Sequence, residues 1–423
     1  MNHFVYHNRE LYCESVPLRR IAEQAGTPIY VYSSATLTRH FQVFNQPFET
    51  IDHLVCFSVK SLSNIAVLRL FGNLGSGFDI VSGGELFRVE QSGGDTRKVV
   101  FSGVAKTDAE IEYALRKDIL LFNVESEAEL VAINRVAGKL RKKARVTLRV
   151  NPDVDPRTHK HISTGTKENK FGIETEKAMK IYGSWRKYRN IDMAGVDCHI
   201  GSQLLEIEPI IEALSGLINM VKQLRGMGLN IRYLDLGGGL GITYLKETPP
   251  LPREYAEQII KFAKDINCKL ILEPGRVLAG NSGVLILKVV YLKHGSVKNF
   301  VIADGGMNDL IRPALYGAYH EVLPLKQKPI KPKYSVDLVG PICESADFLA
   351  KDRLFPGVKA GEYLAVMSAG AYGFVMASNY NSQPLPAEVL VSGRKFFKVR
   401  ERESFKQLVQ GEKVPGLIKE GKK

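Results

Sequence analysis

At 423 residues the chain is long enough for two or three domains of roughly 100–200 residues each. Hydrophobic residues make up 44% and charged residues 24%, a balance that excludes an intrinsically disordered chain. The net charge of +13 invites a nucleic-acid reading, but residues 394–423 hold ten Lys or Arg against four Glu, with few interleaved aromatics and no nucleic-acid motif, so a solvated basic tail is expected. The longest apolar stretch, around 283–292, is short and carries Lys288, so no membrane partner is expected. The N-terminus MNHFVYHNRE has no basic segment followed by an apolar run. Five cysteines (Cys13, Cys56, Cys198, Cys268, Cys343) form no CxxC pair and cannot all pair with one another, which fits a reducing cytoplasm.

In chain order, short apolar runs alternate with stretches of helical spacing. The runs are 53–59 (HLVCFSV), 77–82 (GFDIVS), 98–103 (KVVFSG), 120–125 (LLFNVE), 145–151 (RVTLRVN), 193–201 (MAGVDCHIG), 233–239 (YLDLGGG) and 269–275 (KLILEPG). Helical spacing marks 65–71, 85–91, 109–116, 127–138, 208–225 and 253–265. Near-continuous apolar strands need both faces covered, so eight of them alternating with helices predict an α/β fold, a closed (β/α)₈ barrel. An open doubly wound sheet is the alternative, because periodicity does not report closure. After Gly280 the runs 284–293, 299–304, 334–340, 362–368 and 388–400 have few helical spacers and predict a separate C-terminal all-β domain. Residues 326–333 (KQKPIKPK) read as an exposed connection.

Chemistry in such barrels gathers at the C-terminal ends of the strands. The first run ends in Lys60, the second carries Asp79, the fifth Arg149, and the sixth ends in His199-Ile200-Gly201-Ser202. The seventh ends in Gly237-Gly238-Gly239 and the eighth in Glu273-Pro274-Gly275-Arg276. LGGGLG at 236–241 is not GxGxxG, position 242 being Ile, and no GxxxxGK[ST] occurs. Consecutive glycines serve equally as a phosphate cradle or as a tight turn. Taken singly, Lys60 reads as a surface lysine, His199 as a structural histidine, Glu273 and Arg276 as an ion pair, and Cys343 as a small apolar residue. His159 and His161 (THKH) lack a Cys or carboxylate cluster to complete a metal site, so no metal is expected. The convergence of these residue types at strand ends favours a functional site.

On these residues the chain resembles the pyridoxal-phosphate-dependent decarboxylases of the alanine-racemase-like barrel class, and most closely the diaminopimelate decarboxylase family. The resemblance runs from about Pro28 to Val391. It rests on 57–60 (FSVK), 161–173 (HISTGTKENKFGI), 199–203 (HIGSQ), 235–239 (DLGGG), 273–276 (EPGR), 311–320 (IRPALYGAYH), 340–353 (GPICESADFLAKDR) and 370–382 (GAYGFVMASNYNS). It implies a barrel at 30–280 and a β-domain made of 1–29 with 281–423, the latter carrying part of the active site. A head-to-tail homodimer with active sites at its interface is implied as well.

Carried over residue by residue, the resemblance makes Lys60 the Schiff-base lysine for pyridoxal 5'-phosphate. His199 would stack on the ring. Ser202, the glycines Gly237, Gly238 and Gly239, the Gly275–Arg276 turn and Tyr372 would hold the phosphate. Glu273 would face the pyridine nitrogen and keep it protonated, which suits loss of carbon dioxide. Asp79 and Arg149 would orient the lysine and histidine. Arg276, Arg312, Tyr316, Tyr372 and Glu344 would bind the substrate, meso-diaminopimelate, whose far end carries a second carboxylate and amine. Cys343, supplied across the dimer interface, would protonate the α-carbon, with L-lysine as product. Two departures are visible: FSVKSLSN stands where relatives often show YAVKAN, and Gln383 where many carry arginine. The alternatives are decarboxylases of arginine, ornithine or carboxynorspermidine, against which IRPALY and CESADF speak, and an inactive regulatory relative, against which Lys60, His199, Glu273 and Cys343 speak.

Overall fold

The computed structural model describes residues 2–152, 170–328, 335–354 and 357–418. His159 and His161, most of the 161–173 motif and part of the 326–333 connection lie outside them. Eight strands form the barrel: β1 (His53–Ser58), β2 (Gly77–Ile80), β3 (Val99–Phe101), β4 (Leu121–Val124), β5 (Ala144–Asn151), β6 (Ile191–Asp197), β7 (Tyr233–Asp235) and β8 (Lys269–Leu272). Each pairs in parallel with its sequence neighbours, β4 with β5 included, and β8 pairs with β1 through Leu270 opposite His53. The sheet is therefore closed, which settles the alternative left by periodicity.

Helices cover the outer face, and their starts are visible in the sequence. Ser82 caps Gly83–Gln91 by accepting from the Glu85 N–H, Ser126 caps Glu127–Lys139, and Thr107 with Glu110 forms a capping box on Asp108–Arg116. Leu217, Val221 and Leu224 of Glu208–Gly226 are buried at helical spacing against the strands.

Alternation along the strands layers the barrel interior. At its base Cys56, Val100, Leu121, Ala194 and Ile271 form a small apolar cluster. One alternation further along, the inward positions are Ser58, bonded to Asp79, and Ser102, Asn123, Thr147 and Asp235, tied to one another by side-chain hydrogen bonds through Asn123. The barrel is dry at one end and polar at the other, and the polar end is where the βα loops lie.

After the barrel, Gly283–His294 is the central strand of a second, mostly antiparallel sheet with Asn299–Ala303, Ser335–Val339, Phe348–Leu354, Tyr363–Val366 and Ala387–Ser392. The run 388–400 is not one strand but a hairpin, Ala387–Ser392 with Lys395–Arg400. Gly393 at φ +59° allows the two-residue reversal between them. Ile29–Ser33 pairs with both Gly283–His294 and Ala387–Ser392, so the N-terminal chain leaves this sheet only after Ser33. Phe4, Leu11, Val16 and Ile21 pack in one core with Val284, Ile286 and Val389. Among the described residues no helix is long and apolar enough to cross a membrane.

Candidate active site

The barrel strands and their βα loops, with Tyr372 from the β-domain, bring nine of the expected residues to one polar mouth. A narrow cleft of about 30 Å³ is lined by Lys60, His199, Ser202, Gly238, Gly239, Glu273, Gly275, Arg276 and Tyr372, together with Ser58 and Leu240. Asp79 lies directly beneath. Lys60 follows β1 on a single 3₁₀ turn, and its Nζ meets Asp79 Oδ2 of β2 at 2.8 Å. Ser58 donates to the same oxygen at 2.5 Å, while Asp79 is fully buried. Burial works against the Lys60 charge, but Asp79, then Glu273 and Tyr372, outweigh it and hold the ammonium above the ordinary lysine range.

His199 follows β6 and accepts at Nδ1 from the Gly238 N–H at 3.1 Å. Burial, then Arg149 and Lys60, push its pKa well below the usual histidine range, so the ring is neutral. With Nδ1 accepting, a neutral ring carries its proton on Nε2. The glycine run is required by packing here. A Cβ at Gly237, whose φ is +61°, would sit 2.6 Å from His199 Nδ1, and one at Gly238 would sit 2.2 Å from the Glu273 carbonyl oxygen. Arg149 pairs with Glu125 at 2.7 Å below the histidine.

Glu273, just after β8, is 6% exposed, and its Oε1 lies 3.2 Å from Asn123 Nδ2 and 3.4 Å from Ser102 Oγ. Burial first, then Asp235, Asp79 and Asp197, push its carboxyl well above the usual range. Asp235 is likewise pushed up to about 6 by burial. Such a group wants a cationic neighbour.

Arg276 donates to Ser202 Oγ at 3.0 Å and to Tyr244 Oη at 2.8 Å, its Nε is buried with no partner, and its guanidinium stands 4.9 Å from the Tyr372 ring. Tyr372 is held by its N–H to the Ser61 carbonyl at 2.8 Å and adopts φ +56°. Arg312 lies 4.7 Å from the ring of this site's second tyrosine, Tyr244, and donates to His320 at 2.9 Å. Tyr316 closes the short helix Arg312–Tyr316 and contributes to the field at Arg276. Among the described residues neither Arg276 nor Arg312 has a carboxylate partner, although both are more than nine-tenths buried.

Cys343 and Glu344 are not brought into the cleft. Both are exposed, on the loop before Phe348–Leu354, with the Cys343 N–H held by Asn381 at 2.7 Å. Residues to which motif reading gave no role are Tyr244, Asn123, Thr147, Ser102 and His320. Tyr244 sits in an unpatterned loop, and the others look like ordinary strand or core positions until the register is known.

Residues 34–280 match the family described as "Pyridoxal-dependent decarboxylase, pyridoxal binding domain". The chain is 51% identical over 409 residues to the diaminopimelate decarboxylase of Haemophilus influenzae, covering 96% of this chain and 98% of that one. To that of Vibrio cholerae it is 50% identical, again over 96% and 98%. The crystal structure of diaminopimelate decarboxylase from M. jannaschii in co-complex with L-lysine superposes with a TM-score of 0.93 at 37% identity, over 99% of this chain and 100% of that one. The Helicobacter pylori enzyme complexed with L-lysine gives 0.89 at 39% identity, over 93% and 98%. The chain belongs to the diaminopimelate decarboxylase family of pyridoxal-dependent decarboxylases.

Proposed function

We propose that the protein decarboxylates meso-2,6-diaminopimelate to L-lysine and carbon dioxide, the last step of lysine biosynthesis, with pyridoxal 5'-phosphate as cofactor. The observation that carries this is the pair of buried arginines, Arg276 in the Lys60 cleft and Arg312 across Tyr244 from it, neither with a carboxylate partner among the described residues. Two buried guanidiniums need anions, and a phosphorylated cofactor plus a substrate with a distal carboxylate supply them.

The residues present fit the cofactor. The Arg276–Ser202 pair with the backbone of Gly238, Gly239 and Gly275 suits a phosphate, and the unpartnered Nε of Arg276 leaves a donor to spare. Glu273, buried among other acids, suits a protonated ring nitrogen. When bound, pyridoxal phosphate supplies an electron sink for the charge left as carbon dioxide departs. Lys60 would hold the cofactor, with its amine aimed by Asp79, which Ser58 in turn holds. His199, neutral and fixed by Gly238, provides a flat apolar face for the ring. Tyr372 packs on Arg276 and helps close the phosphate end. Arg312 and Tyr316 take the substrate's distal carboxylate, and Glu344 takes the distal ammonium.

Cys343 would supply the proton to the α-carbon after carbon dioxide leaves. Its exposure, and that of Glu344, supports a homodimer in which this loop completes the partner's site. The working division is a cofactor-binding barrel at 30–280 and a β-domain of 1–29 and 281–423, the boundary falling inside Ile29–Ser33, a strand that is paired on both sides within the second sheet. Five free cysteines suit the reducing cytoplasm.

The test is release of carbon dioxide and L-lysine from meso-diaminopimelate by the loaded protein, with L-ornithine and L-arginine as rival substrates. Wild type is expected to give stoichiometric lysine and Lys60→Ala none. Turnover of ornithine or arginine instead would overturn the substrate assignment, and loss of the lysine-dependent chromophore in wild type would point to the regulatory relative.

A further inference from the structure

The polar layer of the barrel holds more acid than it has cations. Lys60 pairs with Asp79 and Arg149 with Glu125, while among the described residues no ion pair reaches Asp197, Asp235 or Glu273. Asp235 is fully buried and Glu273 nearly so. Two neighbouring carboxylates in such a medium cannot both stay ionised without a counter-charge, so the layer keeps a proton.

Asn123 stands between the two. Its Nδ2 lies 3.0 Å from Asp235 Oδ2, 3.2 Å from Glu273 Oε1 and 3.2 Å from Ser102 Oγ. Its Oδ1 accepts from the Thr147 hydroxyl, which fixes the amide with nitrogen toward the acids, because an ionised carboxylate accepts only. The other oxygen of Asp235 accepts from the Gly237 N–H at 2.9 Å, so the unit is continuous with the glycine turn that seats His199. The charged groups facing it are Asp79, Lys60, Arg149 and Asp197, and the neutral Cys56 thiol also faces it.

We propose that Asn123 is a positioning residue for Glu273: its amide ties the Glu273 and Asp235 carboxyls into one proton-retaining unit and so sets how strongly Glu273 pairs with a protonated ring nitrogen. This rests on the reading that Glu273 faces that nitrogen. Removing the donor destabilises the carboxylate form of Glu273, which weakens the ion pair and holds the shared proton to higher pH.

The experiment measures pyridoxal phosphate affinity and the pH midpoint of the bound cofactor's absorption change in the full chain. Asn123→Leu is expected to weaken binding on the order of tenfold and to raise the midpoint by about one unit. Thr147→Val, which frees the amide to turn, is expected to shift both in the same direction by less. In a Glu273→Gln background Asn123→Leu is expected to add nothing. Unchanged affinity and midpoint in Asn123→Leu, or in Thr147→Val should the first variant not fold, would overturn the proposal while Glu273→Gln still perturbs both. An additive loss in the double variant would overturn it too. If Glu273→Gln itself changes neither, the assignment of Glu273 falls and takes the proposal with it.

Discussion

At His320 the two ring nitrogens have different partners. Nε2 faces Arg312 at 2.9 Å, and an arginine only donates, so Nε2 accepts; Nδ1 then carries the proton and gives it to the Met367 carbonyl at 2.8 Å. The ring is fully buried, and burial followed by the Arg312 charge lowers its pKa to about 3. A histidine near 6.5 when unfolded and near 3 when folded contributes stability that is complete above 6.5 and lost as pH falls toward 3. Asp235 and Asp309, pushed up to about 6 and about 7 by burial, have the opposite sign, since their burial costs stability as pH rises. The His320 contribution is therefore read as a difference. Chemical denaturation of wild type and His320→Gln is expected to show the wild type losing roughly 5 kcal/mol relative to the variant between pH 6.5 and 3. A difference flat across that range would mean the histidine is not held neutral. The same neutral ring holds Arg312 beside Tyr244, where a distal carboxylate is proposed to bind.

The loop carrying Cys343 is shaped by one buried carboxylate. Asp347 accepts from the Met307 N–H and the Ile342 N–H, each at 2.7 Å, and so staples 340–347 to the loop after Asn299–Ala303. Gly306 and Gly340 leave it room, since a Cβ at either would fall within 2.8 Å of an Asp347 oxygen. Asp347→Asn keeps the size but turns one acceptor into a donor facing an N–H. A stability loss of about 2 kcal/mol is expected, with faster thiol labelling of Cys343, lower kcat and unchanged cofactor affinity. Labelling and kcat both at wild-type values would show that the loop holds its shape without the carboxylate. This staple was not legible in the sequence, where CESAD marks a loop but not what it bonds. The barrel strands were legible because each is an apolar run bounded by helix starts such as Ser82 and Thr107. Their closure was not, because the β8–β1 pairing joins Leu270 to His53, far apart in sequence. The mouth residues were legible as strand ends. Asn123 and Asp235 were not, since a polar residue inside a strand has no role until its facing neighbours are known.

For the whole molecule, the Cys343–Glu344 loop is exposed and does not line the cleft around Lys60, an arrangement that two copies can satisfy reciprocally. A two-fold interface is self-complementary, so each copy that receives a loop also gives one. That makes the assembly testable without seeing it. Lys60→Ala removes the proposed cofactor lysine and Cys343→Ala the proposed proton donor, so each alone is expected to leave little activity. If every site draws Lys60 from one chain and Cys343 from the other, a mixed dimer holds one site with both defects and one with neither. Equal mixing after dissociation makes half the dimers mixed, and the activity recovered is expected to approach about one quarter of wild type. Recovery should require exchange of subunits and should fall as either variant is put in excess. If each site takes both residues from one chain, every site in every dimer carries a defect and mixing restores nothing. The same mixture run with Asp79→Ala in place of Lys60→Ala should also recover activity, because Asp79 meets Lys60 within one chain and travels with it.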